Sequence, residues 1–456
     1  MRKLIILLLL VPFTFLNSYA GVGNNFSFSG YLKNETALGL KSLNEVPKFK
    51  NIASLSGEYT LNDQFAVFTS GRYWYDAAYS WRDKYDKAQA LMQHVQRTDW
   101  LRDCYLDYTS DKLDMRLGKQ QVAWGQADGI TILDRVNPFD LSEYWLQDMV
   151  DLRIPLWMAN VKYSPKLNST LQLLVVPDFE QSTAAPPGAP LTFRSYTLYD
   201  SWKRGKNVVE DIQYPAKKFE NSTFGVQWSD RIGDLDYTFN YLHGYYYSAS
   251  TYTRLYIPPP GNRYSFLREF KQWNMYGTSF NKTFTNPGPM KGITLRGDFA
   301  YYNREPVYYG VDGSSLGYHL WDNVFWLLGV DKYIATGWLA SFQFAQYIME
   351  DAKPGVTNRG VPQVTLNRYT YGLADQVENI FSFKLTKSFM HDRMKPEFFW
   401  TGTDDNQGRI SPKVTYEIKD NLWLTVGAHY FYGKVQDTNG QFRESSQVFM
   451  NVKYAF

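Results

Sequence analysis

Apolar and polar residues alternate with a period of two along most of the chain. In the last segment, Met450, Val452 and Tyr454 alternate with Asn451 and Lys453. Successive side chains of a strand point to opposite faces, so this pattern predicts strands with one apolar and one polar face. Segments of about ten residues with this pattern are typical of a transmembrane β-barrel, whose outer face meets lipid and whose inner face meets water.

The connections between these segments alternate in length, as the two ends of an outer-membrane barrel require. Short turns rich in Asn, Asp, Gly or Pro are predicted on one side, for example at 61–64, 285–291 and 419–421. Longer connections are predicted at 77–98, 124–155, 178–221, 248–268, 304–321 and 350–377, whereas 402–407 is short for its side. Eighteen strands fit this scheme, with starts near residues 26, 51, 64, 99, 112, 156, 169, 222, 235, 269, 292, 322, 336, 378, 394, 408, 421 and 446.

Two prolines bear on the strand count. Pro396 and Pro412 fall inside predicted strands, where a missing N–H interrupts the ladder unless a bulge absorbs it. The strands are either bulged at these points or fewer in number. The predicted fold is an all-β, transmembrane antiparallel barrel of 16 to 18 strands that forms a single domain over residues 21–456.

Composition and the first residues point to the cell envelope. Phe, Trp and Tyr make up 18% of the 456 residues, and such residues form girdles at both interfaces of a membrane barrel. Residues 1–20 are predicted to be a signal peptide, because Arg2 and Lys3 precede an apolar run and Ala20 ends a cleavage motif. We therefore expect the outer membrane of a Gram-negative bacterium, with outer-membrane lipid around the barrel and barrel-assembly machinery recognising Phe456.

Charged residues opposite the apolar positions are predicted to line the lumen. A barrel of this size is wide enough for an aqueous channel unless a segment folds into it. Both signs of charge are present, so the wall residues either pair with one another in water or form a path for substrate. The predicted wall residues are Lys33, Glu35, Arg72, Asp103, Asp107, Arg116, Arg296, Asp298, Lys384, Glu397, Lys413 and Glu417.

The connection 124–155 is predicted to fold into the barrel. It contains many apolar residues, among them Ile132, Leu133 and Val136, which need a surface to pack on. An inward constriction is the functional interpretation, and a lid on the outer rim is the alternative. Opposite charges across a constriction would select oriented polar solutes. The residues expected to set this field are Asp134, Arg135, Glu143, Asp148, Asp151 and Arg153.

Other chemistry is weakly represented. The five His residues do not have the spacing of a zinc helix, and neither a nucleophile elbow nor a phosphate-binding loop occurs. We therefore predict no enzyme activity, no catalytic residue, no metal site and no cofactor. A formal net charge of +3 offers no basic surface for nucleic acid, so nucleic acid is not an expected partner.

Three motifs around the predicted constriction carry a family resemblance. The run from Arg116 to Gln126 contains Gly118-Lys119-Gln120 and Trp124-Gly125, and it is followed by Asn137-Pro138 and by Asp151 to Pro155. These landmarks resemble those of uncharacterised porin-like and alginate-export-like outer-membrane proteins. The resemblance implies a porin for passive diffusion of small hydrophilic solutes. The alternative is a barrel that sheathes a periplasmic partner, such as an electron-transfer or export complex.

Overall fold

The protein is an 18-stranded antiparallel barrel in the computed structural model. The structure describes residues 25–81, 85, 100–194, 207–248, 250–257, 263–311, 314–349, 377–435 and 437–456, so the predicted signal peptide lies outside the described residues. The barrel strands, numbered β1 to β18, are Phe26–Gly39, Lys48–Thr60, Phe65–Asp76, Asp103–Thr109, Leu113–Gln120, Leu156–Lys166, Ser169–Val176, Thr223–Ile232, Leu235–Tyr245, Gln272–Thr283, Ile293–Val311, Ser314–Ala335, Trp338–Met349, Val377–Lys387, Met394–Thr403, Gly408–Lys419, Leu422–Tyr432 and Gln447–Ala455.

Each strand pairs with its neighbours in sequence, and β18 closes the ring by pairing with β1 from Tyr31↔Ala455 to Gly39↔Gln447. The count of 18 holds in spite of the two prolines. Pro396 and Pro412 lie in an uninterrupted β15–β16 ladder. The β14–β15 ladder stops at Glu397, and the β16–β17 ladder skips Pro412. The missing N–H groups therefore fall where a ladder is already interrupted.

The two faces of the strands differ as the alternation predicts. Large apolar side chains on the outer face are exposed, including Leu55, Phe239, Tyr276, Val426 and Met450. All twelve predicted wall residues lie on the inner face. For example, inward Asp107 is directly opposite Arg116, and inward Glu397 is opposite Lys413. An apolar exterior and a charged interior are what a barrel in lipid requires.

The two ends of the barrel also differ. Turns such as 61–64, 110–112, 167–168, 233–234, 336–337 and 420–421 join strands at one end, which we call the short-turn end. The prediction of a loop over 304–321 is wrong, because β11 continues to Val311 and β12 begins at Ser314. The ladder is irregular between Tyr302 and Glu305, where Arg304 has φ 61°, but the hairpin continues beyond this point.

The long-loop end carries the remaining elements. A separate sheet consists of Asn207–Gln213, Arg263–Glu269 and Ser250–Ile257, and Asp140–Leu141 pairs with Thr183–Ala184. The short helices are Ala78–Trp81, Met149–Leu152, Phe219–Asn221 and Gly440–Ser445. None of the helices in the described residues is long and apolar enough to cross a membrane.

The orientation of β17 predicts the effect of a charge on either face. Val426 points outward near the middle of the strand, whereas its neighbour Thr425 points inward and contacts Thr415. We expect Val426→Arg to lower the free energy of unfolding in lipid vesicles by about 2–4 kcal/mol, because the charge then faces hydrocarbon. Thr425→Arg is the matched control and should cost clearly less. Equal losses in a urea titration would contradict the assigned faces.

Candidate pore constriction

The segment 121–155 leaves β5 and returns to β6, and Asn137 joins its two ends at the base. The side-chain oxygen of Asn137 accepts the N–H of Val122 at 2.8 Å, and its amide nitrogen donates to the carbonyl of Ile154 at 2.9 Å. Asn137 is almost fully buried. The Asn-Pro landmark therefore has a structural role, since it fixes where the segment enters the lumen.

Trp124 fixes the next residues against the inner wall. Its indole N–H donates to Gln172 Oε1 at 3.0 Å, and Gln172 in turn donates to Asn160 Oδ1 at 2.9 Å. Asn160 donates to Gln120 Oε1 at 3.2 Å. This row of amides is buried but hydrogen-bonded, which is the condition for placing polar groups in an interior.

Asp298 on β11 holds the turn that follows. Its carboxylate accepts the backbone N–H of Gln126 at 2.9 Å and that of Ala127 at 3.1 Å. Gly125 has φ +96°, and a Cβ there would lie 2.8 Å from Asp298 Oδ2, so the close approach requires glycine. The Trp-Gly landmark thus brings the segment from β5 onto the wall at β11.

Two further wall residues complete this attachment. Arg296 donates to Asp128 Oδ2 at 3.0 Å. Gln343 on β13 accepts the N–H of Asp128 at 3.0 Å and donates to its carbonyl at 2.8 Å. We call the contacts of Arg296, Asp298 and Gln343 with residues 126–128 the clip. Arg296 and Asp298 lie inside the barrel as predicted, but they are buried in the clip and do not face water.

Apolar residues of the segment pack beyond the clip. Leu133 lies so close to Gly277 on β10 that a Cβ there would be 2.2 Å from Leu133 Cδ2. The carbonyl of Ile132 accepts a hydrogen bond from Tyr302 at 2.8 Å. The segment shares a buried cluster with inward residues of β6, β7 and β9 to β13. It lies in the lumen, so the alternative of a lid on the rim is wrong.

The second half of the segment contacts the opposite wall, formed by β2 and β3. Glu143 is paired with Lys48 and, at 2.9 Å, with Lys50. Asp151 accepts from Arg72 at 2.6 Å. Burial opposes ionisation of Glu143, but the charges of Lys48 and Lys50 outweigh it and hold the pKa of Glu143 below its ordinary value.

The other four predicted constriction residues make contacts separate from those of Glu143 and Asp151. Asp134 and Arg153 form a two-bond pair, with Arg153 Nε and Nη2 at 2.9 and 2.6 Å from Oδ2, and burial raises the pKa of Asp134. Arg135 donates to the carbonyl of Thr131 and lies over the ring of Tyr302. Asp148 is exposed. The six residues thus form separate contacts, and a transverse field across them stays a prediction.

The remaining wall residues divide by exposure. Glu35 bridges Lys33 and Lys48 at 2.5 and 3.2 Å and is buried. Nearer the short-turn end, Arg116 binds Asp107 through two bonds of 2.7 and 2.8 Å, and both side chains are partly exposed to the lumen. Other wall residues are also partly exposed or accept side-chain hydrogen bonds. Asp103, at the start of β4, accepts from Ser70. Glu397 lies 3.1 Å from Lys413 and 4.0 Å from Lys384, and Glu417 lies nearby on β16.

Two cavities border the inward segment. The outer cavity, of about 380 Å³, lies at the long-loop end and is lined by Gly129 to Thr131 and by the outer ends of β9 to β16. The inner cavity, of about 430 Å³, lies at the short-turn end, where Gln126 lines it together with residues of β7 to β10. The start of the inward segment therefore borders both cavities.

Several residues of this site were absent from the sequence prediction. Lys48 and Lys50 lie on the inner face of β2 but precede the predicted start of that strand at 51. Lys48 and Lys50 alternate with Phe49 and Asn51, and this alternation indicates an earlier start of the strand. No sequence pattern indicates the contact between Asp128 and Gln343, because it forms only when the segment folds onto β13.

Removal of the Asp298 carboxylate should release the clip. Asp298→Ala leaves two backbone N–H groups without acceptors, and each lost bond to a charged group is worth about 1–3 kcal/mol. We expect hydrogen exchange at Gln126 and Ala127 to accelerate by about tenfold or more, while the barrel strands stay protected. Asp107→Ala, which removes an inward carboxylate that does not contact the segment, is the control. Unchanged exchange in Asp298→Ala would contradict the clip.

Glu143 should set the charge of the wall beside it. Glu143→Gln removes the carboxylate that pairs with Lys50 and leaves Lys48 with Glu35 alone, so the reversal potential in a salt gradient should shift toward anion selectivity. Glu444→Gln, on the exposed loop beside Lys41, is the control and should have no effect. An unchanged reversal potential in a folded Glu143→Gln protein would contradict the pairing.

Comparison with known proteins gives a fold and a family. No curated protein matches the sequence. The structure resembles Acinetobacter baumannii OccAB4 (TM-score 0.51, 11% identity, 95% of this chain and 97% of that one) and Pseudomonas aeruginosa OccK3 (TM-score 0.51, 9% identity, 94% and 95%). It also resembles the outer membrane channel DcaP of Acinetobacter baumannii (TM-score 0.43, 10% identity, 94% and 97%). The predicted porin-like barrel is confirmed as a fold. The chain belongs to the family described as "Protein of unknown function (DUF1302)", whose family model matches residues 33–456.

Proposed function

We propose that the protein is an outer-membrane channel through which small hydrophilic solutes diffuse, and that residues 126–128 form its constriction. The observation that carries this proposal is the pair of cavities that border the start of the inward segment. In a barrel whose ends open to different compartments, two cavities that meet one thin segment support a pathway with a single barrier. The apolar outer face supports placement in outer-membrane lipid, with the short turns toward the periplasm.

The wall near the short-turn end supports hydrophilic cargo. Arg116 with Asp107, and Lys413 with Glu397, keep partly exposed charges of both signs on the inner face. Partly exposed ion pairs of this kind stay in contact with water, and each contributes little to stability. The same proposal includes recognition of Phe456 by barrel-assembly machinery and a role without catalysis.

The lumen contents favour a channel over a sheath for a periplasmic partner. The segment 121–155 occupies the middle of the lumen, and Ala185 and Ala189 of the next long connection pack on Ile52 and Trp74 of the wall. Phe442 of the last connection packs on Tyr144 with ring centroids 4.6 Å apart. A partner protein would have to displace these contacts to enter from the long-loop end.

Single-channel conductance tests the proposal. The refolded protein without residues 1–20 is placed in a planar bilayer, with residues 126–150 either intact or replaced by a short Gly-Ser linker. We expect stable open steps in the intact protein and larger steps after replacement, because the barrier and its apolar packing are removed together. Arg116→Ala, which leaves the segment in place, is the control for general changes in the wall. A barrel closed in both forms would reject the channel and favour the sheath.

A further inference from the structure

Aromatic side chains form much of the apolar lining of the outer cavity. Tyr144 and Trp145 come from the inward segment, and Trp273, Phe325 and Tyr347 come from the wall. A volume of about 380 Å³ falls within the range of small-molecule sites, which combine an apolar lining with a few polar groups that orient the ligand. The lining is therefore suited to a flat apolar body, which a purely aqueous pore does not require.

Arg409 brings a positive charge to this cavity. Its side chain is nearly fully buried, with 8% of the residue exposed. The guanidinium donates through Nη1 to the carbonyl of Trp145, and its Nε has no hydrogen-bond partner. Within the described part of the chain, no carboxylate lies within 4.0 Å of it. A buried cation without a counter-charge is energetically costly, so an anion bound in the cavity would be stabilised by Arg409.

Two hydroxyl groups add to this preference. The side-chain oxygens of Thr403 and Thr438 line the same cavity, and both are buried without a hydrogen-bond partner. Hydroxyls donate to carboxylate oxygens, and a guanidinium presents a fork of N–H groups that matches a carboxylate. Arg409, Thr403 and Thr438 thus supply unused donors at an aromatic cavity.

The other charged groups of the lining are Arg135, Glu305 and Glu378. Glu305 accepts from Asn323 at 2.8 Å and from Tyr347 at 2.7 Å. Arg135 lies over Tyr302 and adds a second positive charge. Within the described part of the chain, neither Glu305 nor Glu378 forms an ion pair with Arg409.

We propose that the outer cavity binds a small organic monocarboxylate with a flat apolar body. Its carboxylate would accept from Arg409, Thr403 and Thr438, and its body would pack on Trp145 and Trp273. This inference rests on the proposed channel, because the site lies on the long-loop side of the clip, where a solute arrives before it meets residues 126–128.

Equilibrium binding to the refolded protein in detergent tests the site independently of conduction. Benzoate is the probe, benzyl alcohol keeps the ring without the charge, and acetate keeps the charge without the ring. Quenching of tryptophan fluorescence and calorimetry report binding, since Trp145 and Trp273 line the cavity. We expect benzoate to bind about tenfold or more tightly than either analogue. Equal affinity for benzoate and benzyl alcohol, or for benzoate and acetate, would overturn the proposal.

Variants locate the binding site. Arg409→Gln should weaken benzoate binding by about tenfold or more, and Arg409→Lys, which keeps the charge without the fork, should lose less. Arg443→Gln, on an exposed arginine paired with Glu444, is the matched control and should bind like the unmodified protein. Unchanged affinity in a folded Arg409→Gln protein would reject the site.

The two proposals can fail separately. Benzoate binding in a barrel that does not conduct would retain the site and reject the channel. Open channels with no preference for benzoate would retain the channel and reject the site. If Arg409→Gln does not refold, the ligand series on the unmodified protein still decides the question.

Discussion

Closure of the strand ladder is the constraint on which the rest of this structure depends. In lipid, an open sheet edge would leave backbone N–H and C=O groups without partners. Gly30 on β1 and Phe456 meet this requirement by exchanging two backbone hydrogen bonds of 2.9 and 3.0 Å. A closed ring forces every second side chain into an interior, and at 18 strands that interior is too wide for side chains alone to fill. Water or additional chain has to occupy it.

The chain fills the middle of the lumen with directional contacts. Apolar packing by Leu133 supplies attraction but no unique position. The carboxylate of Asp298, the guanidinium of Arg296 and the amide of Gln343 each fit one arrangement of residues 126–128. Removing one member would leave a buried polar group or charge unpaired, which costs more than the net gain of a formed pair. The position of the barrier is therefore specified by its polar contacts.

The strands could be predicted well because lipid and water impose a strict alternation on them. Seventeen of the predicted starts lie within four residues of the observed ones. The exception is β12, predicted near 322 and observed from Ser314. Pro306, Gly310 and Gly317 gave this region the composition of a loop. Pairing with the facing strand overrides that local preference, since Pro306 lies opposite Leu320 in a continuous hairpin.

The site could be predicted only in part, because alternation reports the face of a residue and not its surroundings. Arg116 and Arg296 are both inward arginines on barrel strands. Arg116 keeps 39% of its side-chain surface exposed, whereas Arg296 keeps 8%. Arg296 contacts Asp331 and Ser341 on neighbouring strands. It also contacts Asp128 of the inward segment, which is 168 residues away in sequence, and no local pattern encodes a contact over that separation. Which wall charges meet water is therefore decided in part by the path of the inward segment.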